Sequence, residues 1–177
     1  MSQQDRASAS REERFVEYVL AGIQKDKGLA ARLRRADNPA TEFQSWDVLA
    51  GFGIDLENAA QRLSYATVAA AMARAKAAGN GNMRLGEAIA ACYGDVQDSQ
   101  AQTKLRRVLA CDNVPELCRI LRPVLTLIES RIAGMSLDYA RLLRQMSRFA
   151  WDAQAVRAEW AQEFYGRVRD TAGREAP

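Results

Sequence analysis

Between Ser99 and Pro123 the chain reads SQAQTKLRRVLACDNVPELCRILRP, a stretch that predicts two helices separated by a capped break. Leu105, Val108 and Leu109 recur at helical spacing in its first half, and Leu117, Ile120 and Leu121 do so in its second. Ser99 and Gln102 stand at capping-box spacing. Asn113, Pro115 and Glu116 supply a cap, a first-turn proline and an acidic residue for the second start. With the apolar positions turned inward, what remains is basic. Lys104 and Arg107 lie three apart with Arg106 beside them, and Arg119 and Arg122 repeat the spacing. Residues three apart share a helix face, so two outward basic stripes are expected. A solvated surface is the ordinary meaning of one such pair; a binding face requires repetition on other helices.

The repetition is present. LAARLRRA, residues 29–36, reads as a short helix with Leu29, Leu33 and Ala36 inward and Arg32 and Arg35 three apart on another face. Ser136 is the expected cap of a helix over 137–150. There Leu142, Leu143, Met146 and Phe149 fall on one side, and Arg141, Arg144 and Arg148 fall on the other. Further amphipathic segments are expected from Arg11 to about Ile23, over 42–50, over 56–78 with Asp55 as its cap, over 85–92, and from Asp152 to about Tyr165. Pro123 is expected to kink the helix that contains it. The alanine-rich segment 56–78 offers a small-residue face for close packing, with Arg62 and Tyr65 on another side. Tyr65 there is either a buried ring with a wet edge or a platform for a base.

No alternating strand pattern and no repeat of fixed period interrupts this series. The expected fold is all-α, a bundle of about eight or nine helices, divisible into two small bundles. Residues 1–10 read as disordered, 11–78 as an N-terminal helical part, 79–84 as a connecting loop, 85–166 as a C-terminal helical part and 167–177 as a frayed tail. The loop sequence GNGN is glycine-rich, but no strand precedes it and no Gly-Lys-Ser/Thr follows, so it is not a phosphate-binding loop.

Composition excludes several chemistries. The 177 residues contain no histidine, which removes serine–histidine and cysteine–histidine nucleophile pairs and the commonest metal ligand. Cys92, Cys111 and Cys118 have neither metal-ligand nor redox spacing and read as reduced, mostly buried thiols. No catalytic residue, metal or cofactor is therefore expected. No apolar run approaches the ~18 residues of a membrane span, and the polar start MSQQDRASASREER is not a secretory signal, so the cytoplasm is the expected location. Net charge is only +3, but it is unevenly placed. Residues 61–148 hold 13 basic and 7 acidic side chains, while both flanks are slightly acidic. That distribution suits a localised polyanion-binding surface.

Four blocks in order also carry a family resemblance. They are Asp26-Lys27-Gly28 with Ala30 through Ala36; Leu85-Gly86-Glu87-Ala88-Ile89-Ala90; Arg106-Arg107 with Asp112 and Leu117 through Arg122; and Leu142-Leu143 with Trp160 through Tyr165. Together the chain resembles the small subunit, CasB, of the type I-E CRISPR Cascade complex. Two departures accompany the likeness. Arg84 stands where the family usually has serine, and GNGN replaces a longer loop, so that loop's contacts are not carried over.

The resemblance implies a non-enzymatic role in antiviral defence. Its implied partners are guide RNA, the displaced single-stranded DNA of an R-loop, the backbone and large subunits of the complex, and another copy of the same chain, with no membrane. Carried over residue by residue, the nucleic-acid contacts would be Arg32, Arg35, Lys104, Arg106, Arg107, Arg119, Arg122, Arg141 and Arg144. A strand held without sequence preference calls for a basic groove with occasional stacking platforms, which the stripes could provide. The rival expectation is a helical scaffold or regulator whose arginines meet acidic residues of a protein partner.

Overall fold

A computed structural model describes residues 9–132 and 136–166. Of the disordered start expected over residues 1–10, residues 1–8 lie outside the described residues, as does the tail from 167; Ser10 is ordered, capping the first helix by accepting from the Glu13 N–H at 3.2 Å. The chain runs α1 (Arg11–Lys25), α2 (Lys27–Arg35), a 3-10 turn (Glu42–Ser45) leading into α3 (Trp46–Phe52), α4 (Ala59–Arg74), α5 (Leu85–Ala91), α6 (Ser99–Leu109), α7 (Val114–Arg131), α8 (Tyr139–Phe149) and α9 (Ala153–Tyr165). Among the described residues there is no sheet, only an isolated parallel bridge between Met83 and Leu137. The expected all-α architecture is the observed one.

Helix α4 sits at the centre because its sequence gives it no polar side to expose over most of its length. Ser64 through Ala73 are all buried, and α1, α2, α3, α7 and α8 pack around them. A helix apolar all round is a core helix. Tyr65 is 2% exposed and packs its ring edge-on against Phe15 at 4.7 Å, so it is not a platform for a base. Arg62 follows it inward in part, donating from Nε to the buried Glu42 at 2.9 Å.

Several starts differ from the expected ones, each for a local reason. Asn58, not Asp55, caps α4, accepting from the Gln61 N–H; Asp55 instead closes a turn onto Glu57. Asp98 caps α6 by accepting from both Gln100 and Ala101, which places Ser99 inside the helix. Asp138 caps α8 in place of Ser136. In all three, the residue directly before the first helical position accepts from the free N–H groups two or three residues on, the geometry of an N-cap. Asn113 does cap α7 as expected, accepting from Glu116, and the Glu116 carboxylate in turn accepts from the Asp112 N–H. Helix α7 runs unbroken through Pro123, which lies on its exposed face.

The connection at 79–84 is fastened rather than loose. The Gly81 N–H donates to Leu137 O at 2.9 Å, Met83 and Asp138 exchange backbone bonds with the same strip, and Asn80 reaches both Asp138 and the Ala140 N–H. Gly81 is required there because a Cβ would lie 1.9 Å from the Ser136 carbonyl oxygen. Buried residues from both sides of this connection belong to a single apolar cluster.

Candidate nucleic-acid interface

The nine basic residues singled out from the sequence divide into two groups. Lys104, Arg106 and Arg107 stand on the outer side of α6, whose Ala101, Leu105 and Val108 face α5, α7 and α9. Arg106 and Arg107 are exposed and Lys104 is half-buried, and among the described residues none has an acidic partner. Arg106 makes only a 3.1 Å contact to Gln102 on its own helix. Arg35 on α2 is likewise exposed without an acidic partner among the described residues. Arg119 is 67% exposed and only 3.5 Å from Glu116 one turn back, a pairing worth little in water. These five cations remain available to a ligand.

Of the other four, Arg122 and Arg141 are engaged in the protein's own packing, while Arg32 and Arg144 hold half-exposed pairs at the surface. Arg122, expected on the outward stripe with Arg119, has a side chain only 13% exposed, and its Nε lies 3.5 Å from Asp37. At about 100° per residue, Arg119 points away from the Leu117–Leu121–Leu125 face, whereas Arg122 falls on its flank, where α7 meets the turn after α2. Asp37 and Glu129 also hold Arg74 from two sides, the latter through bonds of 2.8 and 2.9 Å. Burial alone would lower the Arg74 pKa, but these carboxylates outweigh it and raise it.

The stripe on α8 faces acids of the neighbouring helices, closely for Arg141 and Arg148 and loosely for Arg144. Arg141 Nε donates to Glu163 at 2.8 Å, Arg148 pairs with Glu159, and Arg144 lies 3.6 Å from Glu13 of α1. Glu163 is 2% exposed and also accepts from Gln145 at 2.9 Å and from the Gly86 N–H at 3.2 Å. Gln145 in turn accepts from the buried Trp160 indole at 2.8 Å. The Arg141 guanidinium is thus the counter-charge of a buried carboxylate that ties α5, α8 and α9 together. Arg32 is intermediate, 42% exposed and bonded to Asp47 at 2.6 Å.

Sequence reasoning missed Arg157, which donates to Cys111 O at 2.6 Å and fastens α9 to the break between α6 and α7. It also missed the exposed aromatics Phe43, at 58%, and Trp151, at 76%. All three cysteines are buried, and burial pushes the Cys118 thiol up to about 11, so it is not a nucleophile at neutral pH. No group of acids and thiols that could hold a metal occurs among the described residues. Among them, too, no helix is long and apolar enough to cross a membrane.

These features define a class: an all-helical protein without histidine, whose inner arginines are paired with acids while its outer helices keep unpaired cations. The model of the CRISPR-associated protein Cse2 family matches residues 29–165, and the chain belongs to that family. Among solved structures it is similar to M. ruber CasB, at 25% identity over 96% of this chain and 100% of that one, with a TM-score of 0.74. It is similar to a chain of a CRISPR RNA-guided surveillance complex, at 25% identity over 94% and 98%, TM-score 0.69. CasB from Thermus thermophilus shares the fold, at 24% identity over 89% and 99%, TM-score 0.67. No curated protein matches the sequence.

Proposed function

We propose that the chain is a non-enzymatic small subunit of a type I-E CRISPR RNA-guided surveillance complex (Cascade), working in the cytoplasm in antiviral defence. In this reading it contacts guide RNA and the displaced DNA strand through Arg35 and the Lys104–Arg106–Arg107–Arg119 region, without sequence preference, and stabilises the R-loop. The observation that carries it is the full-length likeness to a chain of such a complex, combined with cations on α6 that the fold leaves unpaired. R-loop formation is close to balanced, so a few phosphate contacts suffice to shift it. Arg122 and Arg141 are not assigned contacts, because their guanidinium groups already face Asp37 and Glu163. The exposed Phe43 and Trp151 favour contacts with neighbouring subunits, including a second copy of this chain, within the same assembly.

The test is the double substitution Arg107→Ala with Arg119→Ala in the assembled complex. Both side chains are exposed, so the melting temperature should stay nearly constant; surface changes of this kind cost less than about 0.5 kcal/mol. R-loop lifetime should shorten, most at low salt, where each lost phosphate contact is worth most. An unchanged lifetime in a normally assembled complex would overturn the assignment of these residues.

A further inference from the structure

A cleft of about 430 Å³ opens between the end of α1, the outer side of α2 and the end of α4. Its floor is apolar, made by Ile23, Ala30, Ala73 and Ala77. Three cations surround it: Lys27 and Arg34 at the two ends of α2, and Lys76 just past α4. All three are exposed, none has an acidic partner among the described residues, and no lining residue is acidic. An apolar floor rimmed by a few convergent charges, in a volume of this order, has the form of a small-ligand site.

The backbone at Lys76 is an independent sign that this side chain is wanted there. Helix α4 ends in a Schellman turn: the Ala77 N–H donates to Met72 O at 3.0 Å, which puts residue 76 in the left-handed region with φ of 50°. Glycine is the usual residue at that position, since any Cβ is disfavoured. Among the described residues Lys76 is the one non-glycine with positive φ. The turn is held in place by Gln24, whose amide donates to Ala78 O at 3.2 Å across the cleft wall. A strained conformation kept at a charged residue beside a cavity suggests a function for the charge.

We propose that this cleft seats one nucleotide unit, its phosphate held by Lys27, Arg34 and Lys76 and its sugar or base lying on the alanine-lined floor. The inference deepens the single-strand reading above and rests on it, because a strand crossing α2 would present such a unit. A free mononucleotide has the same chemistry. The site is separate from the α6 cations, so the two can fail independently.

The test uses the full chain with alanine methyl groups labelled, titrated with thymidine 5′-monophosphate, with inorganic phosphate and with oligothymidylate of about ten nucleotides. The monophosphate should move the Ala30, Ala73 and Ala77 methyl resonances, and phosphate alone should bind the same place more weakly. Arg34→Gln and Lys76→Gly should each weaken monophosphate binding about tenfold, the worth of one charge-assisted hydrogen bond. Lys76→Gly should do so without lowering the melting temperature, since glycine suits the turn better than lysine; that separates the effect of charge from an effect on folding. Movement of the same methyls by the oligomer supports a strand as the ligand, and movement by the monophosphate only supports a free nucleotide. Methyl resonances unmoved by every probe, or unchanged affinities in both variants, would overturn the site. If Arg106→Gln with Arg107→Gln weakens oligomer binding while the cleft methyls never move, the cleft is wrong and the wider nucleic-acid reading stands.

Discussion

Replacing Arg141 with alanine distinguishes a structural arginine from a nucleic-acid contact. The wild-type carboxylate of Glu163 is 2% exposed and accepts from Arg141, Gln145 and the Gly86 N–H. Removing the guanidinium leaves a buried charge with two neutral donors. Breaking a buried pair by deleting one partner costs about 3–5 kcal/mol. Arg141 itself is 36% exposed, so water can reach the vacated side, and the lower end, about 3 kcal/mol, is the expected loss. For a chain of this length each kcal/mol moves the midpoint by about 2–4 °C, so Tm should fall by about 6–12 °C. Differential scanning calorimetry on Arg141→Ala, on Glu163→Leu and on the double variant completes a cycle. The double variant should be more stable than the sum of the single losses implies, because no buried charge remains. A midpoint for Arg141→Ala within about 2 °C of wild type, with a drop in oligonucleotide affinity, would refute the reasoning and return Arg141 to the interface.

Arg106→Gln with Arg107→Gln should leave Tm unchanged and reduce the slope of log affinity against log salt by about 0.7 for each phosphate no longer neutralised, read by anisotropy with single-stranded DNA. Burial alone would raise the pKa of Glu159, but hydrogen bonds from Arg148 and Gln145 outweigh it and hold the carboxyl below its ordinary value. A depressed folded value means the stability it adds is present above the unfolded pKa and disappears as pH falls through the folded one. Glu159→Gln should therefore flatten the acid limb of the Tm–pH profile below about pH 5 and leave the neutral region less stable than wild type. Gly86→Ala would put a Cβ 2.4 Å from Trp160 O and 2.5 Å from Phe164 N, both backbone atoms, so α5 and α9 must move apart. The expected cost is about 3 kcal/mol by urea titration, and a neutral effect would show that this crossing is looser than described.

Helix identities were legible in the sequence because they depend on local information. The 3.6-residue spacing of Leu105, Val108 and Leu109, or of Leu117, Ile120 and Leu121, reports the buried face of one helix directly. Helix starts were less legible where two capping residues compete, as at Asp98 with Ser99 and Asp138 with Ser136, because the choice turns on which oxygen reaches the free N–H groups. The fastening of 79–84 was hidden entirely. GNGN carries no sign that its amides will pair with residues 136–138, more than fifty positions away.

The availability of an arginine is a property of the helix across from it, and no stripe can reveal that by itself. The α8 stripe had the clearest spacing in the chain, yet it lies against Glu13 of α1 and against Glu159 and Glu163, four apart on α9. The α6 stripe has weaker spacing but turns a face to solvent that no acid-bearing helix covers among the described residues. Pairing inside the bundle removes charge from one face and leaves it on another, so a net charge of +3 still yields a local surface rich in cations. That is why Lys104, Arg106 and Arg107 keep unpaired charge among the described residues, whereas Arg141 and Arg148 of the better-ordered stripe do not.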